Sequence, residues 1–353
     1  MFLKPKARPI LGLDITTSSI KLIELSMSGG QYRVESYAAE ATPANSINEK
    51  AIVDANLVGE AIKRAVKRSG ARAKEAAVAI SGDAAITKVI QMPRTLTEAE
   101  LEAQVELQAD QYIPFPMEEV SFDFEVIGPS EKEPDMLDVL LVATRSDNVN
   151  QRVTACAAAG LTARVMDVEA FALENACKLL THQMPDGGQD RVVAVVDFGA
   201  SSTTFSVLRD LRVIYTRDFA FGGQQLTEEI MRTYGLSMDE AGRAKKEGGL
   251  PANYQAEVLD PFIDDMCQQV SRSLQFFLAS GAAREQPEQL LICGGCANIS
   301  GVAEVIASRV GINAERGDPL GQMKISTRAK NQNVKKDATA LLTACGLALR
   351  SFD

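Results

Sequence analysis

Two stretches of this chain carry the same alternation of apolar and small polar positions. Residues 10–25, ILGLDITTSSIKLIEL, read as an apolar strand ending at Asp14, a hydroxyl-rich turn (Thr16, Thr17, Ser18, Ser19) and a second strand through Ile20, Leu22 and Ile23. Residues 192–208, VVAVVDFGASSTTFSVL, repeat the pattern about half a chain later. In each, Asp is followed by one apolar residue, two small residues and Ser-Ser, from Asp14 to Ser19 and from Asp197 to Ser202. The duplication predicts two related lobes, each presenting a tight turn to a shared cleft.

Periodicity fills in the rest. Residues 31–41 predict a third strand through Tyr32, Val34 and Tyr37. A helix follows from an N-cap at Asp54 to Ser69, with inner face Leu57, Ala61, Ile62, Ala65 and Val66, ended by Gly70. After a strand over 75–81, residues 84–160 read as a compact insertion of order β-α-β-β-α, one sheet face lying under two helices. Within it, Thr97 and Glu100 form a capping box, Pro114 stops the helix, and Ser146 is expected to cap the last helix. A strand over 161–167 then leads into a helix over 168–180. The second lobe adds a strand over 211–220, a helix over 225–234 and a capping box at Ser237 and Glu240. A long helix over 255–280 follows, with Pro261 marking its true start or a kink. A strand over 289–293 feeds Gly294-Gly295-Cys296-Ala297-Asn298, with a helix from Ile299. A helix over 337–349 closes the chain.

Composition narrows the function. The 353 residues suggest two or three domains, and 46% hydrophobic with 24% charged is ordinary for a globular protein. A net charge of −10 argues against nucleic acid or an anionic membrane as partner. No run of 18 apolar residues occurs, and Pro9, Gly12 and Asp14 interrupt the basic N-terminus, so a soluble intracellular protein is expected. Cys293 and Cys296 make the one C-x-x-C pair, too few for a zinc ribbon but open to a redox reading. The single histidine, His182, lies in a polar loop, which weakens any triad built on His.

The turns suit phosphate, because small residues let backbone N–H groups and hydroxyls approach an anion. Asp14 and Asp197 cannot touch phosphate without repulsion, but they can hold Mg²⁺ through water. Glu169, at a strand-to-helix junction, could order a water near the phosphate, although an acid at a helix N-terminus also needs no further reason. A strand, two glycines and a helix start give a shape against which a base and ribose can lie. The chain has neither a full G-x-G-x-x-G nor G-x-x-x-x-G-K-[ST].

This order of motifs resembles the signature of the superfamily of actin, heat-shock chaperones and sugar kinases. The resemblance implies an α/β, actin-like ATPase fold: two lobes of ribonuclease-H-like subdomains. It assigns Gly12, Asp14, Thr16, Thr17, Ser18 and Lys21 to the first phosphate site, and Asp197, Gly199, Ala200 and Ser201 to the second. It assigns Gly294, Gly295, Cys296 and Asn298 to adenosine, Lys245 to a further nucleotide contact, and Asp14, Asp197 and Glu169 to any catalysis. Residues 165–172 and 338–346 correspond to its two hinges. Within the superfamily, GLDITTSSIKLIEL, ADQYIPFPMEEVSFDFEVIG and VMDVEAFAL resemble the PilM family of type IV pilus assembly proteins. The implied division is 1–83 with 161–190 and 330–353 as subdomain 1A, 84–160 as an FtsA-type subdomain 1C, 191–224 with 285–329 as 2A, and 225–284 as 2B. Gly242 departs from the pattern, standing where relatives often carry a Glu that contacts the nucleotide.

The family resemblance implies a cytoplasmic scaffold that takes ATP and Mg²⁺ and turns ATP over slowly at most. It would bind the N-terminal cytoplasmic peptide of PilN between subdomains 1A and 1C. Through that peptide it would join the inner-membrane complex to the pilus motor ATPases and platform protein, touching membrane only through partners. Self-association is left open. The rivals are an FtsA-like filament former, a small-molecule kinase of the same fold, and a relic that no longer binds nucleotide. The first needs an amphipathic C-terminal helix, where this sequence reads LALRSFD, and the second needs an acceptor site with a base.

Overall fold

Two sheets of one topology frame the molecule. The computed structural model describes residues 9–130, 133–283 and 285–353, so the basic start of the chain lies outside them. The first sheet runs Thr162–Val168, Glu75–Ile80, Ile10–Ile15, Ser19–Ser28, Gln31–Ala41, Lys324–Ile325. The second runs Asn313–Arg316, Gln289–Gly294, Val192–Phe198, Thr203–Arg209, Arg212–Phe219. In each, the duplicated hairpin supplies the central antiparallel strands and two parallel strands extend the sheet on the other side. The registers agree: Asp14 faces Lys21 across the first hairpin, and Asp197 faces Thr204 across the second. The duplicated sequence pattern is therefore a duplicated fold.

Apolar faces set the layers. Helix Ala55–Ser69 caps the outer face of the first sheet, its N-cap Asp54 accepting from the Asn56 and Leu57 amides. Its buried stripe is Ala55, Val58, Ala61, Ile62 and Ala65; Leu57, expected inside, is 47% exposed. On the second sheet, helices Gly223–Tyr234, Asp260–Ser280 and Val302–Val310 share one cluster with Phe198, Phe205 and Ile292. Pro261 marks a true boundary, since a π-turn over Gln255–Leu259 precedes the α-helix from Asp260. Between the two sheets lie helices Glu169–Cys177 and Leu342–Leu349. Ala172 and Leu347 pack on Ile10 and Ala77 of the first sheet. Leu173, Cys177 and Leu342 pack on Val193, Val195 and Leu291 of the second. The helices touch backbone to backbone: a Cβ on Gly346 would lie 1.8 Å from the Ala172 carbonyl oxygen.

Three expected boundaries move. The insertion's own sheet is Ala85–Pro93, Met136–Arg145 and Val120–Pro129, and one helix, Glu98–Ala109, covers it, opened by the Thr97/Glu100 capping box. The next helix, Ser146–Ala158, packs instead on helix Ala55–Ser69, with Ala155 and Cys156 in the first-lobe core. The insertion thus ends near Arg145 rather than at 160. Ser146 is not a cap; its hydroxyl lies 3.0 Å from that of Ser121. At the other end, Lys324–Ile325 pairs with the first sheet, and Leu320, Ala329 and Val334 join its core with Val34 and Tyr37. The return to the first lobe falls near residue 318, before the expected 330. Finally, the helix expected from Ile299 starts at Val302, after a 3₁₀ turn over Gly295–Asn298 and Gly301 at φ 75°.

Candidate functional site

A cleft of about 2040 Å³ separates the lobes, and both hairpin turns open into it. In the first turn the Thr16 amide donates to the Ser19 carbonyl at 3.0 Å, and Thr42 braces the loop by donating its hydroxyl to the Thr16 carbonyl at 2.7 Å. The second turn is braced by a helix start: the amides of Gly223 and Gln224 donate to the carbonyls of Gly199 and Ala200 at 3.0 and 2.8 Å. Glycine is required there, since a Cβ on Gly222 would lie 2.5 Å from the Ala200 oxygen. The two tips meet: Thr17 Oγ1 and Ser201 Oγ are 3.0 Å apart, one from each lobe.

Beneath the tips lies a dense row of charge. Lys21 Nζ donates to Asp14 Oδ2 at 2.8 Å. Burial opposes the Lys21 charge, but Asp14, with Asp197 and Asp337, outweighs it and raises its pKa. Burial pushes Asp197 up to about 6, Lys21 opposing and Asp14 and Asp218 adding. Burial likewise pushes Glu169 up to about 7, against Lys50 and with Asp14 and Asp218. Lys50 Nζ sits 3.0 Å from Asp218 Oδ2 and 3.7 Å from Glu169 Oε2.

The Gly-Gly loop closes the other end. Gly294, at φ 83° and ψ 179°, holds a conformation open essentially to glycine alone. A Cβ there would lie 2.2 Å from the Phe198 oxygen and 2.6 Å from Asp197 Oδ1. The Thr339 hydroxyl donates to the Gly294 carbonyl at 2.9 Å, while Gly295 faces open space. Asn298 accepts from Arg316 at 3.2 Å. Lys245 is tethered to the Gly223 carbonyl at 2.7 Å and Thr227 Oγ1 at 2.6 Å. Cys293 and Cys296 are buried free thiols in separate apolar clusters, so packing accounts for both.

The cleft brings together Asp14, Thr16, Thr17, Ser18, Lys21, Glu169, Asp197, Gly199, Ala200, Ser201, Lys245, Gly294, Gly295, Cys296 and Asn298. Gly12 is the exception. It lies behind the wall, where a Cβ would meet the Ala344 oxygen at 2.0 Å, so it makes room for helix Leu342–Leu349 rather than for a ligand. His182 is exposed and outside the cleft. Lys50 and Asp218 are the residues that sequence reasoning missed. Lys50 tops a two-residue turn built from Glu49 and Lys50, both with positive φ, where no Gly or Asn announces a hairpin. Among the described residues no three His, Cys, Asp or Glu converge into a metal cage. Asp14 and Asp197 are hard oxygen donors on facing walls, which fits a hydrated Mg²⁺ completed by water and phosphate.

Two lobes of one strand order, joined through paired helices, with their hairpin turns meeting above Asp14 and Asp197, define an actin-like ATPase fold. The chain belongs to the family of type IV pilus assembly protein PilM, which it matches over residues 12–352. It is similar to the solved PilM-PilN type IV pilus biogenesis complex, with 28% identity and a TM-score of 0.80 over 99% of this chain and 100% of that one. The ethanolamine utilization protein EutJ of Carboxydothermus hydrogenoformans shares the fold, at 18% identity and a TM-score of 0.54 over 98% of this chain and 90% of that one. Cell division protein FtsA of Agrobacterium fabrum is 26% identical over 181 residues, 44% of this chain; the match spans 39% of that relative's length. Membership gives the chain a role in type IV pilus assembly. Among the described residues no helix is long and apolar enough to cross a membrane.

Proposed function

We propose that this chain is an ATP-binding scaffold of the type IV pilus machine whose lobes close on Mg·ATP. The observation that carries the reading is the pair of turn tips, Thr17 and Ser201, meeting at 3.0 Å above Asp14 and Asp197. Amides and hydroxyls of the turns bind phosphate, Lys21 neutralises Asp14, and the Gly294–Asn298 loop receives base and ribose. Mg²⁺ held by Asp14 and Asp197 would offset phosphate charge. Glu169, with its pKa near neutral, can accept a proton from water.

The partner is PilN, by analogy with the solved relative, and the family resemblance implies that its N-terminal cytoplasmic peptide docks between the first lobe and the insertion. On this reading the protein works in the cytoplasm, at the inner membrane through partners, between PilN and the motor ATPases and platform protein. The subdomains we propose are 9–83 with 146–190 and 318–353 (1A), 84–145 (1C), 191–224 with 285–317 (2A) and 225–283 (2B). Coupling between cleft and insertion has a physical basis. Gly82, Asp83 and Thr87 at the root of the insertion line the cleft, and Thr144 clamps that root by donating to the Ala84 carbonyl at 2.8 Å.

Calorimetry tests the reading. Mg·ATP is expected to bind, and to bind about fivefold or more tightly when PilN peptide saturates the protein. Equal ATP affinity with and without peptide removes the coupling; no ATP binding removes the reading itself. The FtsA match keeps one second reading, an ATP-dependent filament former, which sedimentation of the protein with ATP would reveal.

A further inference from the structure

One cleft cation, Lys50, has no ligand in the function proposed above. Lys50 belongs to the first lobe but reaches the second, where Asp218 accepts its hydrogen bond at 3.0 Å. Asp218 is itself held in place by the Thr204 hydroxyl at 2.6 Å.

Its place along the cleft follows from neighbours. The Gly294 backbone abuts Asp197. Asp197 lies in the field of Lys21, and Lys21 pairs with Asp14. Asp14 in turn acts on Glu169, and Glu169 pairs with Lys50. The sheet register gives the distance: from the strand that ends at Gly294 the second sheet steps to Asp197, then to Thr204, then to Asp218, so Lys50, held by Asp218, lies three strands across from the Gly-Gly loop. A nucleotide anchored there by its base, as the proposed function requires, reaches Lys50 only with its last phosphate.

Acids crowd that end: Glu169 and Asp218 pair with Lys50, and Asp83 acts on it as well. Lys21 is already committed to Asp14. A terminal phosphate arriving here needs a cation, and Lys50 is a point charge on a flexible stem, able to exchange a carboxylate for a phosphate. We propose that Lys50 is the residue by which this cleft distinguishes a nucleoside triphosphate from a diphosphate, releasing Asp218 to bind the terminal phosphate. The exchange moves an ion pair from between the lobes onto the ligand, so the triphosphate itself becomes the bridge.

The test is titration of the full chain with Mg·ATP and Mg·ADP by calorimetry. Lys50→Met keeps the length of the side chain and removes the charge. It is expected to weaken ATP about tenfold or more, the worth of one charge-assisted hydrogen bond, and to leave ADP within about twofold. Asp218→Asn, which frees Lys50 and removes a repelling charge, is expected to tighten ATP. An unchanged ATP-to-ADP ratio in Lys50→Met overturns the inference alone. So does Asp218→Asn weakening ATP as much as Lys50→Met, since the pair would then act as a structural clamp. A native chain that binds neither nucleotide overturns the proposed function as well.

Discussion

Replacing Gly294 and Gly295 separately by alanine separates backbone geometry from ligand contact. At Gly294 the new Cβ would sit 2.2 Å from the Phe198 oxygen and 2.5 Å from its carbonyl carbon, both in the central strand of the second sheet. That strand cannot retreat, being paired on both sides. The backbone is also in a glycine-only region, which costs an L-residue about 1–3 kcal/mol. Forcing a methyl against packed backbone adds about 1–3 kcal/mol. Gly294→Ala should therefore cost about 2–6 kcal/mol, a large share of the roughly 5–15 kcal/mol available to a folded domain. At Gly295 nothing lies within 4 Å of the new carbon. Gly295→Ala should leave stability within about 1 kcal/mol of native, because alanine also restricts the unfolded chain. Urea unfolding followed by circular dichroism reads both. Equal midpoints for the two variants would refute the reasoning, as would a Gly294→Ala protein as stable as native.

Gly12→Ala should likewise destabilise by about 2 kcal/mol or more, through the 2.0 Å approach of the Ala344 oxygen; thermal melts without nucleotide check it, and an unshifted melt would return Gly12 to the list of ligand contacts. Arg350→Met strands the Asp167 carboxylate, 3% exposed and paired at 2.7 Å. About 3 kcal/mol should be lost, and a double mutant with Asp167→Asn should recover part of it. Glu169 and Asp197 have pKa values raised to about 7 and 6 in the folded chain, so folding binds protons. Their contribution to stability is full below their ordinary carboxylate range and is lost as pH rises through those values. In EDTA, Glu169→Gln should flatten the fall in melting temperature between about pH 5 and 8; an unchanged slope would show that this carboxyl does not carry it.

The two lobes were legible because each rests on a period-two hairpin with the same Asp and Ser-Ser landmarks. The cleft was legible for the same reason: its walls are the turns of those hairpins. What escaped was set by distant contacts. Helix Ser146–Ala158 follows the insertion without a break in sequence, and only its meeting with Gly59 and Ala65 of another helix assigns it to the first lobe. Lys324–Ile325 is too short to show any period, yet it completes a sheet. Gly12 sits beside a phosphate turn, where a small residue suggests ligand approach, but the approaching group is a helix. Leu57 was off by one position in helix phase, since the stripe centres on Val58, Ala61 and Ile62. Lys50 belongs to no motif; its meaning depends on Asp218, a residue of the other lobe.

The helix pair between the sheets limits how the molecule can move. Where Gly346 meets Ala172 there is no side chain to compress, so sliding one helix along the other would drive flanking methyl groups into opposing backbone. Because both helices stay with the first lobe, the pair acts as one rigid seat, on which Leu173, Cys177 and Leu342 together carry Val193, Val195 and Leu291 of the second.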